Sequence, residues 1–252
     1  MRILCFLLTA CFCLSSVTAI LERIVGGTAT AIENIPFQLS LVINKEVVCG
    51  AVLIATNKAI TAAQCVHGLP STAVVTVKGG TSYRTSLGTS RNVNEIKIHN
   101  NFNQYTYDYD IAILTLSQKF ELSKQIALAK LPIVNEIVAP GKIANVSGWG
   151  ITTIGGTEYA GLLQTVQVPI VATKVCASAH ARLNTVTDRM LCAGFTTGGN
   201  DWCKGDVGGP LVYAGKVIGL ASWGASCGSV GSPGVYTRIA ALRQWISTNA
   251  GV

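Results

Sequence analysis

"GPLVYAGKVIGLASWG", residues 209–224, decides the fold. Its apolar residues fall in two short runs, each too brief for a helix. Ala214 and Gly215 stand between them, where a two-residue hairpin turn needs small or left-handed residues. The stretch therefore reads as strand, tight turn, strand. Working outward, "FQLSLVI" (37–43), "VVCGAVLIA" (47–55), "TAVVTVKG" (72–79), "IAILTLS" (111–117), "KIANVSGWG" (142–150), "TVQVPIV" (165–171) and "GVYTRI" (234–239) read the same way, with turn residues between them. "IAALRQWISTNA" (239–250) differs. Ile239, Leu242, Trp245 and Ile246 recur at helical spacing. Many short strands and one terminal helix predict an all-β barrel or sandwich. No repeat of 20–50 residues is present.

The composition agrees with a packed domain. Of 252 residues, 49% are hydrophobic and 12% charged, enough to bury a sizeable core and too apolar for a disordered chain. Part of the excess lies in "MRILCFLLTACFCLSSVTA" (1–19), with Arg2, an apolar run, and small residues at Val17 and Ala19. That pattern predicts a signal peptide cut after Ala19 and a secreted, extracellular protein. The run is too short to span a bilayer comfortably, so no membrane partner is expected. Cys5, Cys11 and Cys13 leave with this leader. Cys49, Cys65, Cys176, Cys192, Cys203 and Cys227 remain, an even number that suggests disulfides. Spacing alone leaves their pairing open. No tight zinc spacing occurs, so no metal and no cofactor are expected. Removing Arg2, Glu22 and Arg23 takes the net charge from +7 to +6. The basic residues are scattered, which speaks against a nucleic-acid partner.

Six segments now stand in a telling order: "RIVGG" (23–27), "TAAQC" (61–65), "DYDIAIL" (108–114), "GDVGGP" (205–210), "SWG" (222–224) and "PGVYTR" (233–238). Together they resemble the chymotrypsin family of serine proteases, over residues 24–252. The resemblance implies two six-stranded antiparallel β-barrels, trypsin-like, with a C-terminal helix. It also implies a propeptide over 20–23, a protease domain over 24–252 and a barrel boundary near 132. The overall wording is similar to the inactivated protease paralogues of the scabies mite, relatives of dust-mite trypsin-like allergens.

The family chemistry needs a serine nucleophile, a histidine base, an orienting aspartate and two backbone N–H groups for the oxyanion. Carried onto this chain, the aspartate position is Asp110, the histidine position is Gln64 and the serine position is Val207. A Val side chain has no hydroxyl to acylate. A Gln amide does not titrate near neutrality. His67, His99 and His180 read as surface or loop residues rather than substitute bases. These replacements predict a pseudoprotease, not an enzyme, acting by non-catalytic binding. The implied partners are host or self proteins of a protease cascade, complement components among them, and the implied state is a monomer. The alternative is residual or altered trypsin-like peptidase activity.

The resemblance assigns further positions. Gly205 and Val207 would supply the oxyanion N–H groups. Cleavage at Arg23–Ile24 would free an amino group to pair with Asp206. Asp201 matches the carboxylate that selects Arg or Lys, with Ser222, Gly224 and Gly234 around the specificity pocket. Trp202 follows Asp201 where a small residue is usual. The indole either fills the pocket or swings outward to pack elsewhere. The implied disulfides are Cys49–Cys65, Cys176–Cys192 and Cys203–Cys227. The family's calcium loop would span 79–92, which holds no carboxylate. "NVS" (145–147) is a glycosylation sequon at Asn145, inside an expected strand.

Overall fold

The computed structural model describes residues 26–252. The expected signal peptide, the propeptide with Arg23, and Ile24 lie outside the described residues.

After a short edge strand, β1 (Thr28–Ala29), six strands follow: β2 (Gln38–Ile43), β3 (Glu46–Ala55), β4 (Lys58–Thr61), β5 (Val75–Gly79), β6 (Thr89–Ile98) and β7 (Ala112–Leu116). They close in the order β2-β3-β4-β7-β6-β5, each pair antiparallel. Alternation makes the inside: Leu39 and Leu41 of β2 face Leu53, Val77 and Leu114 in one core cluster. The second half contributes β8 (Ile143–Gly148), β9 (Gln164–Val171), the helix α1 (Thr173–His180), β10 (Met190–Ala193), β11 (Pro210–Tyr213), β12 (Lys216–Trp223) and β13 (Gly234–Arg238). The sheet runs β9-β10-β13-β12-β11-β8, and β8 pairs back onto β9, so it too closes, with β1 added beside β9. Two six-stranded antiparallel barrels are therefore present, as the resemblance implied.

The hairpin of residues 209–224 turns at Ala214 (φ 48°) and Gly215 (φ 74°), with Tyr213 opposite Lys216. Both central residues are left-handed, which matches the twist of the flanking strands. The terminal helix, α2 (Ile239–Ala250), begins where β13 ends. Its Ile239, Leu242 and Ile246 are buried with Val52, Ile54 and Ile60 of the first barrel and Val217 and Leu220 of the second. This shared cluster fixes the barrels against each other, and the two meet where Gln64 and Asp110 bond to Ser222.

All three disulfides form as the resemblance implied: Cys49–Cys65, Cys176–Cys192 and Cys203–Cys227. Asn145 is exposed, on β8. No helix among the described residues is long and apolar enough to cross a membrane.

Candidate active site

Asp110 lies just before β7 and is 1% exposed. Burial pushes its carboxyl up from the ordinary carboxylate range, against the opposing pull of its hydrogen-bond donors. Oδ1 accepts the Gln64 backbone N–H at 2.9 Å. Oδ2 accepts the Ser222 hydroxyl at 2.6 Å and the Gln64 amide at 2.6 Å. The Gln64 amide also donates to the Ser222 carbonyl at 2.8 Å. Gln64 belongs to a one-turn 3₁₀ segment, Ala63–Cys65, which follows β4 and is tied down by the Cys49–Cys65 bond. The first barrel thus supplies Gln64 and Asp110, and the second supplies Ser222. Thr237 Oγ1 holds the Asp110 carbonyl at 2.7 Å, a support that no sequence spacing signals.

Val207 lies in the loop before β11. It is half-buried and packs against the cores of both barrels. Its carbonyl accepts the Gly50 N–H at 2.8 Å, a bond that crosses between the barrels. Among the described residues neither the Gly205 nor the Val207 N–H bonds to a backbone carbonyl. Gly205 holds φ +97°, where a side chain is disfavoured. Between them Asp206 is fully buried. Its carboxylate accepts the Gly150 N–H at 2.7 Å and the Cys203 N–H at 3.0 Å. Burial pushes its pKa up to about 7.

Asp201 is buried as well. Its oxygens accept the backbone N–H groups of Trp202 at 2.9 Å and Gly228 at 3.2 Å. Burial raises it to about 7, and the Asp206 charge adds to that. Trp202 turns inward and is 9% exposed. A Cβ built on Gly234 would overlap its Nε1 and fall 2.8 Å from its Cδ1. One on Gly224 would sit 3.9 Å from its Cζ2. Of the two orientations open for the indole, the structure takes the inward one. Ser222 turns its hydroxyl onto Asp110 instead of lining the pocket.

The histidines divide differently from expectation. His67 is exposed. His99 is buried between Tyr109, at 4.5 Å, and Trp245, at 4.8 Å, and burial lowers its pKa. His180 ends α1 fully buried, its Nε2 2.8 Å from the Pro233 carbonyl oxygen. The surface reading is corrected for these two: aromatic stacking covers one and a helix end buries the other. None of the three hydrogen-bonds Asp110.

The Trypsin family model matches residues 24–246. Trypsin 5G1 of Aedes aegypti is 38% identical over 231 residues, covering 91% of this chain and 86% of that protein. Trypsin of Phaedon cochleariae is 37% identical, covering 89% and 87%. The vitellin-degrading protease of Bombyx mori is 37% identical, covering 90% and 85%. The chain belongs to the trypsin family of chymotrypsin-like serine proteases. The expectation that it is no enzyme is corrected here. Relatives named trypsins and a degrading protease match it across nearly its whole length, and that points to a protease.

Proposed function

We propose that this chain binds extended polypeptide in the cleft between its barrels and that its peptide hydrolysis is altered and residual. One observation carries the reading: the Gln64 amide commits N–H bonds to Asp110 and to the Ser222 carbonyl. The buried frame of a trypsin site is kept, with an amide in place of a titratable ring. In this reading Gln64, Asp110 and Val207 hold the triad positions. Gly205 and Val207 form the oxyanion hole, and Asp206 receives the Ile24 amino group after cleavage at Arg23.

Val207 offers no oxygen, so no acyl-enzyme forms there. Water adds directly to a carbonyl polarised by the two free N–H groups, the C–N bond breaks, and the amine leaves with a proton taken from water. The oxyanion hole and binding together supply about 10³–10⁴-fold over the uncatalysed rate.

A second reading is favoured by Trp202, which narrows the cleft. The protein holds a partner longer than it cleaves one. Secreted proteins of a protease cascade, complement components included, are the proposed partners of a secreted monomer. The resemblance to the mite paralogues is the motive for naming them.

Fluorogenic peptides incubated for days beside a protein-free blank test the main reading. Slow turnover without a burst, within about 10⁴-fold of the blank, is expected. A burst equal to the protein concentration, or turnover on the order of 1–10³ s⁻¹ as in ordinary enzymes, would overturn it.

A further inference from the structure

We infer that the anchoring subsite of this cleft takes glycine or alanine, because the Trp202 indole fills the slot that a basic side chain needs. The inference rests on the cleft-binding reading above and names the class of polypeptide that fits.

In that reading Gly224 and Gly234 are the two walls of the slot. The distances from Gly234 to Cδ1 and from Gly224 to Cζ2 place the indole across the slot, touching both walls. A long side chain entering there meets the ring within van der Waals range. A hydrogen or a methyl group stops short of it.

The indole is also held in place. It belongs to the second barrel's core cluster with Leu211, Ala221 and Tyr236, and lies edge-on to the Tyr236 ring, centroids 6.4 Å apart. Its neighbour Cys203 is bonded to Cys227, which fixes the loop on the other side of the slot. Swinging the ring outward would leave a void in that cluster and an indole in water.

Asp201 adds a second, independent reason. Both of its carboxylate oxygens are occupied by backbone N–H groups, those of Trp202 and Gly228. The carboxylate is 5% exposed, and burial raises it to about 7, so at neutrality much of it is uncharged. An Arg or Lys reaching the slot finds a ring in front of the acid and an acid already engaged.

The test uses dye-labelled peptides identical except for Gly, Ala, Leu or Arg at one position, with binding read by fluorescence anisotropy. The full mature protein is compared with Trp202→Ser and with Trp202→Phe, which keeps a ring in the slot. The parent and Trp202→Phe should bind the Gly and Ala peptides at least about tenfold more tightly than the Arg peptide, the range a crowded apolar site can discriminate. Trp202→Ser should gain at least tenfold for Arg. Circular dichroism and urea midpoints establish that the variants fold, and Trp202→Phe carries the test if Trp202→Ser does not. If the parent binds all four peptides alike, or prefers Arg, the inference falls while cleft binding stands. If no peptide binds any variant, the cleft reading itself falls, and the inference with it.

Discussion

At the scale of single residues, the candidate site is a set of buried polar groups. Gln64 is the clearest case. A histidine at this position would orient against Asp110 through one ring N–H, and the amide reproduces that bond and adds one to the Ser222 carbonyl. Gln64→Ala removes the side-chain donor from a carboxylate that is nearly inaccessible. The expected cost is about 1–3 kcal/mol, the penalty of an under-satisfied buried group, read as a drop in the urea midpoint. Gln64→His should restore most of it. Asp206 and Asp201 set a pH dependence. Both have folded pKa values of about 7, above the ordinary carboxylate value of 3.8. Between those limits the folded state holds protons that the unfolded chain has released. Stability is therefore fully present below about pH 4 and lost as pH rises towards 7, by up to about 1.4 kcal/mol per pH unit for each carboxylate. Asp206→Asn should flatten that slope in the chain not cleaved at Arg23. In the cleaved chain the Ile24 ammonium should flatten it without any mutation. Denaturation at pH 4.5, 6 and 7.5 measures both. Trp202 is the third case. Burying an indole removes about 150–250 Å² from water, of order 4–6 kcal/mol of driving force, which is why the ring stays inward.

Elements show where the sequence was readable and where it was not. Strands with clean alternation or continuous apolar runs, such as residues 38–43 and 112–116, were legible, as was the two-residue hairpin at Ala214–Gly215. The strand over Thr89–Ile98 was not. Its apolar residues are Val93, Ile96 and Ile98, and a register shift between Val93 and Glu95 breaks the period of two. Residues 58–61 and 190–193 are too short to display a period at all. The helix Thr173–His180 buries only Cys176 and His180, so its apolar stripe is a disulfide sulfur and an imidazole, neither of which reads as a hydrophobic signal. In the site, motif order singled out Gln64 and Asp110, which the structure joins by hydrogen bonds. The turn of Trp202, the Ser222 hydroxyl on Asp110 and the Thr237 support depend on how loops from two barrels meet. The loop over 79–92 gives a prediction at this scale. It has no carboxylate for a divalent cation. Instead, the Lys78 ammonium donates to the Arg84 carbonyl at 2.7 Å, and the Arg84 guanidinium reaches the Val47 carbonyl at 3.0 Å. A cationic side chain fixed in the sequence braces the loop. Millimolar calcium or EDTA should leave the melting temperature unchanged, whereas Lys78→Met should lower it. A calcium-dependent rise of several degrees would contradict this.

For the whole molecule, the frame is that of the trypsin family. The two barrels, their shared cluster under the terminal helix and the three disulfides build the trypsin frame, and the relatives across nine-tenths of the chain are named proteases. In the reading proposed above, Val207 and Gln64 hold the positions of nucleophile and base. In that reading hydrolysis rests on binding and oxyanion polarisation, without a covalent intermediate. Restoring Gln64→His and Val207→Ser should bring back a labelable nucleophile, because Asp110 and Ser222 are already bonded together and the Gly205 and Val207 N–H groups have no backbone carbonyl partner among the described residues. Intact mass measured after exposure to a small serine-directed phosphonate tests the central claim most directly. The mature parent protein should keep its unmodified mass while the double variant gains one adduct. A parent protein that gains one adduct per molecule would contradict the account.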